Sequence, residues 1–177
     1  MPEVQRQATD RVPPPKLDRP RDPEIAIVMA VGYVWAAFNT LIGLLLAVVF
    51  YRACTFRWSD GCLEAVGGTF RRAGKTVSRI WGRPYAQTWG WLIIYDSLGH
   101  RAVRPLRVHE RVHVIQSMVA GPLFTPLYSL HFLVEWAREG FAFAHWRDAY
   151  RRIWAERMAY RIEDEYRRGL RPTVWGA

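Results

Sequence analysis

The stretch "RVHERVHVIQ", Arg107 to Gln116, contains His109, Glu110 and His113 in the order H-E-x-x-H. On a helix, residues four apart stand one turn apart on the same face, so two imidazoles can share one metal ion. A glutamate beside the first histidine can reach a water on that metal without being a ligand. Zinc lowers the pKa of such a water to about 7, and a carboxylate can take its proton as it attacks a carbonyl. The spacing makes His109 and His113 candidate zinc ligands and Glu110 a candidate general base. The competing reading is a solvated face of a basic helix, with no metal.

A catalytic zinc needs a third protein ligand and one open position. Val119 stands where a metzincin would carry a third histidine. Of the remaining histidines, His100, His131 and His145, His131 lies in an apolar run and suits packing or capping. Carboxylates are better candidates. Glu156, in "WAERMAYRIEDEY", falls at the edge of the apolar face of a strongly amphipathic segment from about His145 to Arg168. Trp146, Ala149, Tyr150, Ile153 and Tyr160 form that face on a continuous helix. The alternative for Glu156 is a surface pair with Arg152, one turn earlier. Glu163 is the next candidate ligand, further from the apolar face.

H-E-x-x-H on one helix, followed some forty residues later by a glutamate-led motif on another, resembles the gluzincin group of zinc metallopeptidases. The membrane-embedded heat-shock and CAAX-prenyl peptidases of that group carry the second motif as E-x-x-x-D. "HERVHVIQ" is also similar to the H-E-x-x-H-x-x-Q of small bacterial zincin-like proteins. The likeness covers about residues 87–168. It implies zinc bound by His109, His113 and Glu156, Glu110 as the base, a peptide or protein substrate, and a bacterial inner-membrane setting. Tyr160 stands where the peptidase pattern has Asp, and Gln116, one turn beyond His113, can supply second-shell support. Gln116 and Tyr160 are therefore candidates for orienting the ligands or stabilising a transition state. In zincins an edge strand beside the active-site helix binds extended substrate, and Trp89–Tyr95 is the candidate here.

These residues need elements to hold them. Residues 1–24 are rich in Pro and balanced charge and read as a disordered tail. Ile25 to Phe50 is uncharged and long enough to span a bilayer, so residues 25–52 are expected to form a single transmembrane helix. Residues 53–86 read as a basic membrane-proximal connector, and 87–171 as a minimal zincin-like domain. Within it, "QTWGWLIIY" (Gln87 to Tyr95) reads as one strand. A helix from Pro105 to about Val119 carries the motif and is stopped by Gly121-Pro122. The expected class is α+β, mainly α with a small β element. If Glu156 completes the site, the apolar segment Val119–Trp136 cannot cross the membrane once; it must fold back as a hairpin, with Pro122 and Pro126 as breaks.

The formal charge of +9 lies entirely beyond the first 24 residues. With no nucleic-acid motif, no nucleic-acid partner is expected, and anionic lipid beside the apolar span is the better match. The basic residues after the span slightly favour a cytoplasmic domain. Cys54 and Cys62 can form a disulfide if their side is oxidising, or remain two thiols. Three functions stay open: a membrane-anchored zinc peptidase, a zincin-shaped membrane protein without catalysis, and a basic membrane protein whose motif is accidental.

Overall fold

The computed structural model describes residues 23–51, 54–67 and 85–170. The N-terminal tail through residue 22 and the basic residues Arg71, Arg72, Lys75, Arg79 and Arg83 lie outside these. The architecture is α+β, mostly helical with one four-stranded sheet.

Helix α1 (Pro23–Phe50) is two-sided in size rather than in polarity. Gly32, Ala36, Asn39, Thr40, Gly43 and Ala47 are buried, and their small side chains let the domain approach the helix backbone. A Cβ on Gly43 would lie 2.4 Å from the Trp89 Cβ. The opposite side exposes Ile27, Val31, Val34, Phe38, Leu41, Leu45 and Val48. The stretch Ala26–Phe50 is long and apolar enough to cross a membrane. From Gly32 onward, however, it is also a core element of the domain rather than a free helix.

Strands β1 (Cys54–Ser59) and β2 (Cys62–Gly67) form an antiparallel hairpin. Its turn residues Asp60 and Gly61 both have positive φ, 49° and 76°, which matches the twist of a two-residue hairpin loop. This hairpin falls in the segment read from sequence as a connector, yet β2 pairs in parallel with β4 (Leu92–Tyr95), so it is part of the domain's sheet. The expected single strand over Gln87–Tyr95 is two strands. Gly90, at φ 62°, turns the chain between β3 (Ala86–Trp89) and β4 and lies against Thr40 of α1, where a Cβ would clash. The strand order β1-β2-β4-β3 buries β4 and leaves β3 at the edge. The hairpin register also sets Cys54 opposite Gly67 and Cys62 opposite Ser59, at opposite ends. Both cysteines are free thiols, and burial pushes Cys62 up to about 12.

Alternation along the strands divides the sheet between two helices. Leu63, Ala65, Leu92 and Ile94 pack with Ala47 of α1. Cys62, Ile93 and Tyr95 pack with Val114 of α3 (Arg104–Ala120), which follows the short helix α2 (Leu98–Ala102). Val112 lies about 200° around the helix from Val114. It packs, with Val108, on Ala159, Ile162 and Tyr166 of α6 (Trp154–Arg167). Helix α3 is thus enclosed between sheet and α6, while α1 covers the other face of the sheet and also reaches α3, where Gly32 lies against Met118.

A second stretch, Arg104–Arg138, also meets the length and apolarity needed for a span. It is not one rod. A 3₁₀ turn, Gly121–Leu123, separates α3 from α4 (Phe124–Arg138), and Gly121 holds φ 57°, ψ −137°. Pro122 lies in the turn and Pro126 in the first turn of α4, where its missing N–H costs nothing. The Asn39 amide donates to the Gly121 carbonyl at 2.6 Å, tying this elbow to α1.

The single helix expected from His145 to Arg168 is likewise broken. Helix α5 (Trp146–Arg152) ends at Ile153, whose ψ of 134° starts α6 in a new direction. His131 accepts the otherwise orphaned N–H of Trp154 at 3.2 Å, the capping role open to it from sequence. The break resets the helical phase. Glu156 moves from the edge of the apolar face to its buried centre, and Tyr160 moves to the edge, 36% exposed.

A Gly43→Ala variant is expected to lose about 1–3 kcal/mol of stability by driving α1 off Trp89. Thermal unfolding in detergent measures this; an unchanged midpoint would mean that α1 does not pack on the sheet.

Candidate metal centre

His109 and His113 project from α3 toward α6, and Glu156 projects back from the first turn of α6. Their Nε2 atoms are 3.2 Å apart. Glu156 Oε2 is 3.3 Å from His109 Nε2, and Oε1 is 3.2 Å from His113 Nε2. The three residues are 5%, 6% and 1% exposed. Ligands at 2.0–2.1 Å around a tetrahedral ion are roughly 3.3 Å from one another; the two Nε2 atoms meet that spacing, and one ligand atom from each of the three residues lies within 4.8 Å of the others.

The other ring nitrogens decide which atoms point inward. His113 Nδ1 lies 2.8 Å from Gln116 Oε1, while Gln116 Nε2 donates to the Ala155 carbonyl at 3.2 Å. That carbonyl fixes the amide orientation, so Gln116 Oε1 accepts from His113 Nδ1–H and leaves Nε2 with a lone pair. His109 Nδ1 is 3.1 Å from Glu163 Oε2. Glu163 is held in turn by Arg167, whose Nη2 donates at 2.5 Å. The runner-up ligand Glu163 therefore sits on the wrong side of the His109 ring to coordinate; it orients the histidine instead. Gln116, expected to support the ligands, is in contact with His113. The place of the absent Asp is taken by Glu163, two turns beyond Glu156.

The electrostatics fit a cation. Lone pairs and a carboxylate converge in a dry site, and Glu156 Oε2 is buried with no hydrogen bond. Burial acts to raise the Glu156 carboxyl, but the two histidines beside it outweigh that and hold the group well below the usual carboxylate range. Burial likewise opposes ionisation of Glu163, and His109 and Arg167 outweigh it. For His109 burial favours the neutral ring, yet the two glutamates push it up to about 10, so without metal a proton occupies the cluster.

Glu110 does not join the cluster. It is 5% exposed, and its Oε2 accepts from the Thr88 hydroxyl at 2.7 Å, which links it to edge strand β3. Arg111, the next residue of the motif, is fully buried and pairs with Asp60 of the β1–β2 turn. Arg107 reaches Asp60 and Glu64, and Arg101 donates to Glu64 at 2.6 Å. HERVH is consequently not a solvated face: all five of its residues are buried. Nor does Glu156 pair with Arg152, whose partner is Glu139.

Tyr128 of α4 is the site residue that sequence reasoning missed. Its hydroxyl donates to Glu156 Oε1 at 2.6 Å, and its ring lies 6.4 Å from that of His113. A tyrosine in an apolar run carries no spacing signal; only the fold-back of α4 brings it here. Tyr160 stacks edge-on against His109 at 4.6 Å and forms a wall rather than a hydrogen-bond partner of the histidines. His100 serves the start of α2 through Ser97, and His145 is exposed.

Comparison with known proteins returns no matching family model, no curated protein and no solved structure. The geometry alone carries the functional reading.

Metal analysis of the purified chain is expected to find about one divalent ion, lost in His113→Ala. Glu163→Gln and Gln116→Ala should weaken binding by about 10–100-fold in a chelator competition. Unchanged affinity in both would remove them from the orienting role.

Proposed function

We propose that this protein is a membrane-anchored, zinc-dependent peptidase-like hydrolase. The observation that carries the proposal is the convergence of two helix-spaced histidines and Glu156 in a buried site, with a separate carboxylate, Glu110, next in sequence to the first ligand. Two nitrogens and one oxygen are a ligand set suited to zinc, which when bound supplies Lewis acidity and acidifies a water.

The chain's own residues supply the rest. Glu110, oriented by Thr88, is the base that accepts the water's proton. Tyr128 donates to Glu156 and so keeps one carboxylate oxygen committed, leaving Oε2 for the ion. Strand β3, at the sheet edge and half-buried, offers backbone groups to an extended peptide. This moves the substrate-binding strand from Trp89–Tyr95 to Ala86–Trp89, because β4 is paired on both sides.

Membrane attachment rests on the outward side of α1, where each exposed large side chain is apolar. Helix α4 adds exposed Leu127, Leu130, Leu133 and Val134. Lipid is the partner that such surfaces suit. The sheet edges need water or protein, so contact with lipid belongs to the outward face of α1 and its first turns, not to the face that packs on the sheet.

A second reading has its own support. All three ligands are nearly inaccessible and Glu110 is already hydrogen-bonded, as in a metal site that serves structure alone. Glu110→Gln separates the two. The variant should retain zinc and lose peptide hydrolysis by about 10²–10⁴-fold. Equal turnover in both proteins would remove Glu110 as base; zinc without turnover in the wild type on any peptide library would favour the structural role.

A further inference from the structure

Beside the metal centre, on the outward face of α6, lies a cleft of about 440 Å³. Four arginines, Arg151, Arg157, Arg161 and Arg168, line it against two carboxylates, Asp164 and Glu165. The balance is two excess positive charges in one concavity. Arg157, Arg161 and Arg168 make no ion pair among the described residues, and all three are exposed. Arg157 and Arg161 are one helical turn apart, where like charges repel. An anion between them would relieve that repulsion.

The cleft is joined to the metal centre by one residue. Tyr160 lines the cleft, and its ring packs at 4.6 Å on His109. Arg151 lies over that ring, 6.0 Å from its centroid. The cleft faces away from the helix that would hold a bilayer: α3 lies between α6 and α1, with Val108 and Val112 packed on α6 and Met118 against Gly32 of α1. The occupant is then a soluble chain, not a lipid headgroup.

We propose that this arginine cleft binds a carboxylate-bearing segment of the substrate, so that the protein acts on peptides with acidic residues flanking the bond at the metal centre. The guanidinium fork matches a carboxylate with two parallel hydrogen bonds, and the helical spacing of Arg157 and Arg161 presents two such forks in line. Asp164 and Glu165 on the cleft's wall offset two of the four positive charges, and the remaining excess favours an acidic segment over a basic one. The assignment rests on the hydrolase reading of the neighbouring centre, but its test does not need turnover.

The test uses the full chain in non-ionic detergent and a fluorescein-labelled hexaglutamate peptide, read by anisotropy. Hexaglutamate should bind, a hexaserine control should not, and added salt should weaken binding. Arg157→Gln with Arg161→Gln should weaken it about fivefold or more while metal content and melting stay unchanged. The Glu110→Gln variant should bind as the wild type does, so loss of turnover there leaves this result standing. Hexaglutamate binding that is absent, or equal in the double variant, would overturn the proposal. Binding of a labelled dihexanoyl phosphatidylserine that the double substitution abolishes, with no hexaglutamate binding, would overturn the proposal and reassign the cleft to lipid headgroups.

Discussion

Two imidazole nitrogens and a carboxylate face one another at 3.2–3.3 Å in a site that water barely reaches. Such a cluster costs free energy unless a cation or proton occupies it and unless every other polar atom of its residues is satisfied. Much of the tertiary structure answers those two conditions. Helix α3 is wrapped on both faces, so its polar motif needs partners on both. On the α6 side these are Glu163, Gln116 and the Ala155 carbonyl. On the sheet side they are Thr88, Asp60 and Glu64.

The ion pairs around Arg101, Arg107 and Arg111 follow from that enclosure. A buried guanidinium is tolerated only when paired, and pairing it to the β1–β2 turn fixes the rotation of α3 about its own axis. Rotation is what aims His109 and His113. The hairpin, which makes no contact with His109, His113 or Glu156 in this network, thereby helps to place the two histidines. Helix α1 contributes from the other face of the sheet. Its small residues allow the sheet to lie close, and its Asn39 holds the Gly121 elbow that turns α4 back over the site.

The parts of this arrangement legible in the sequence are those set by local spacing. H-E-x-x-H places two side chains on one helical face whatever the surroundings, and Gly121-Pro122 stops that helix for backbone reasons alone. Glu156 is legible as a candidate because it is a carboxylate on a second amphipathic helix. Its depth is not, since the face computed over a continuous helix is out of phase with the one created by the break at Ile153. That break is stabilised by His131, a residue more than twenty positions away. Tyr128 is hidden for the same reason. The division of Gln87–Tyr95 into a hairpin turns on Gly90 approaching Thr40, a contact with no local signature.

By itself, then, the sequence determined the α+β class, the motif helix and its end, the apolar character of α1 and the two histidines and the glutamate that cluster. All of these depend on periodicity, composition or a single backbone preference. Only the tertiary structure decided that Glu163 meets the outer nitrogen of His109, that β3 rather than β4 lies at an edge of the sheet among the described residues, and that the two cysteines stand at opposite ends of a hairpin. Each of those is a distance between elements far apart in the chain, and such distances arise only when packing brings the elements together.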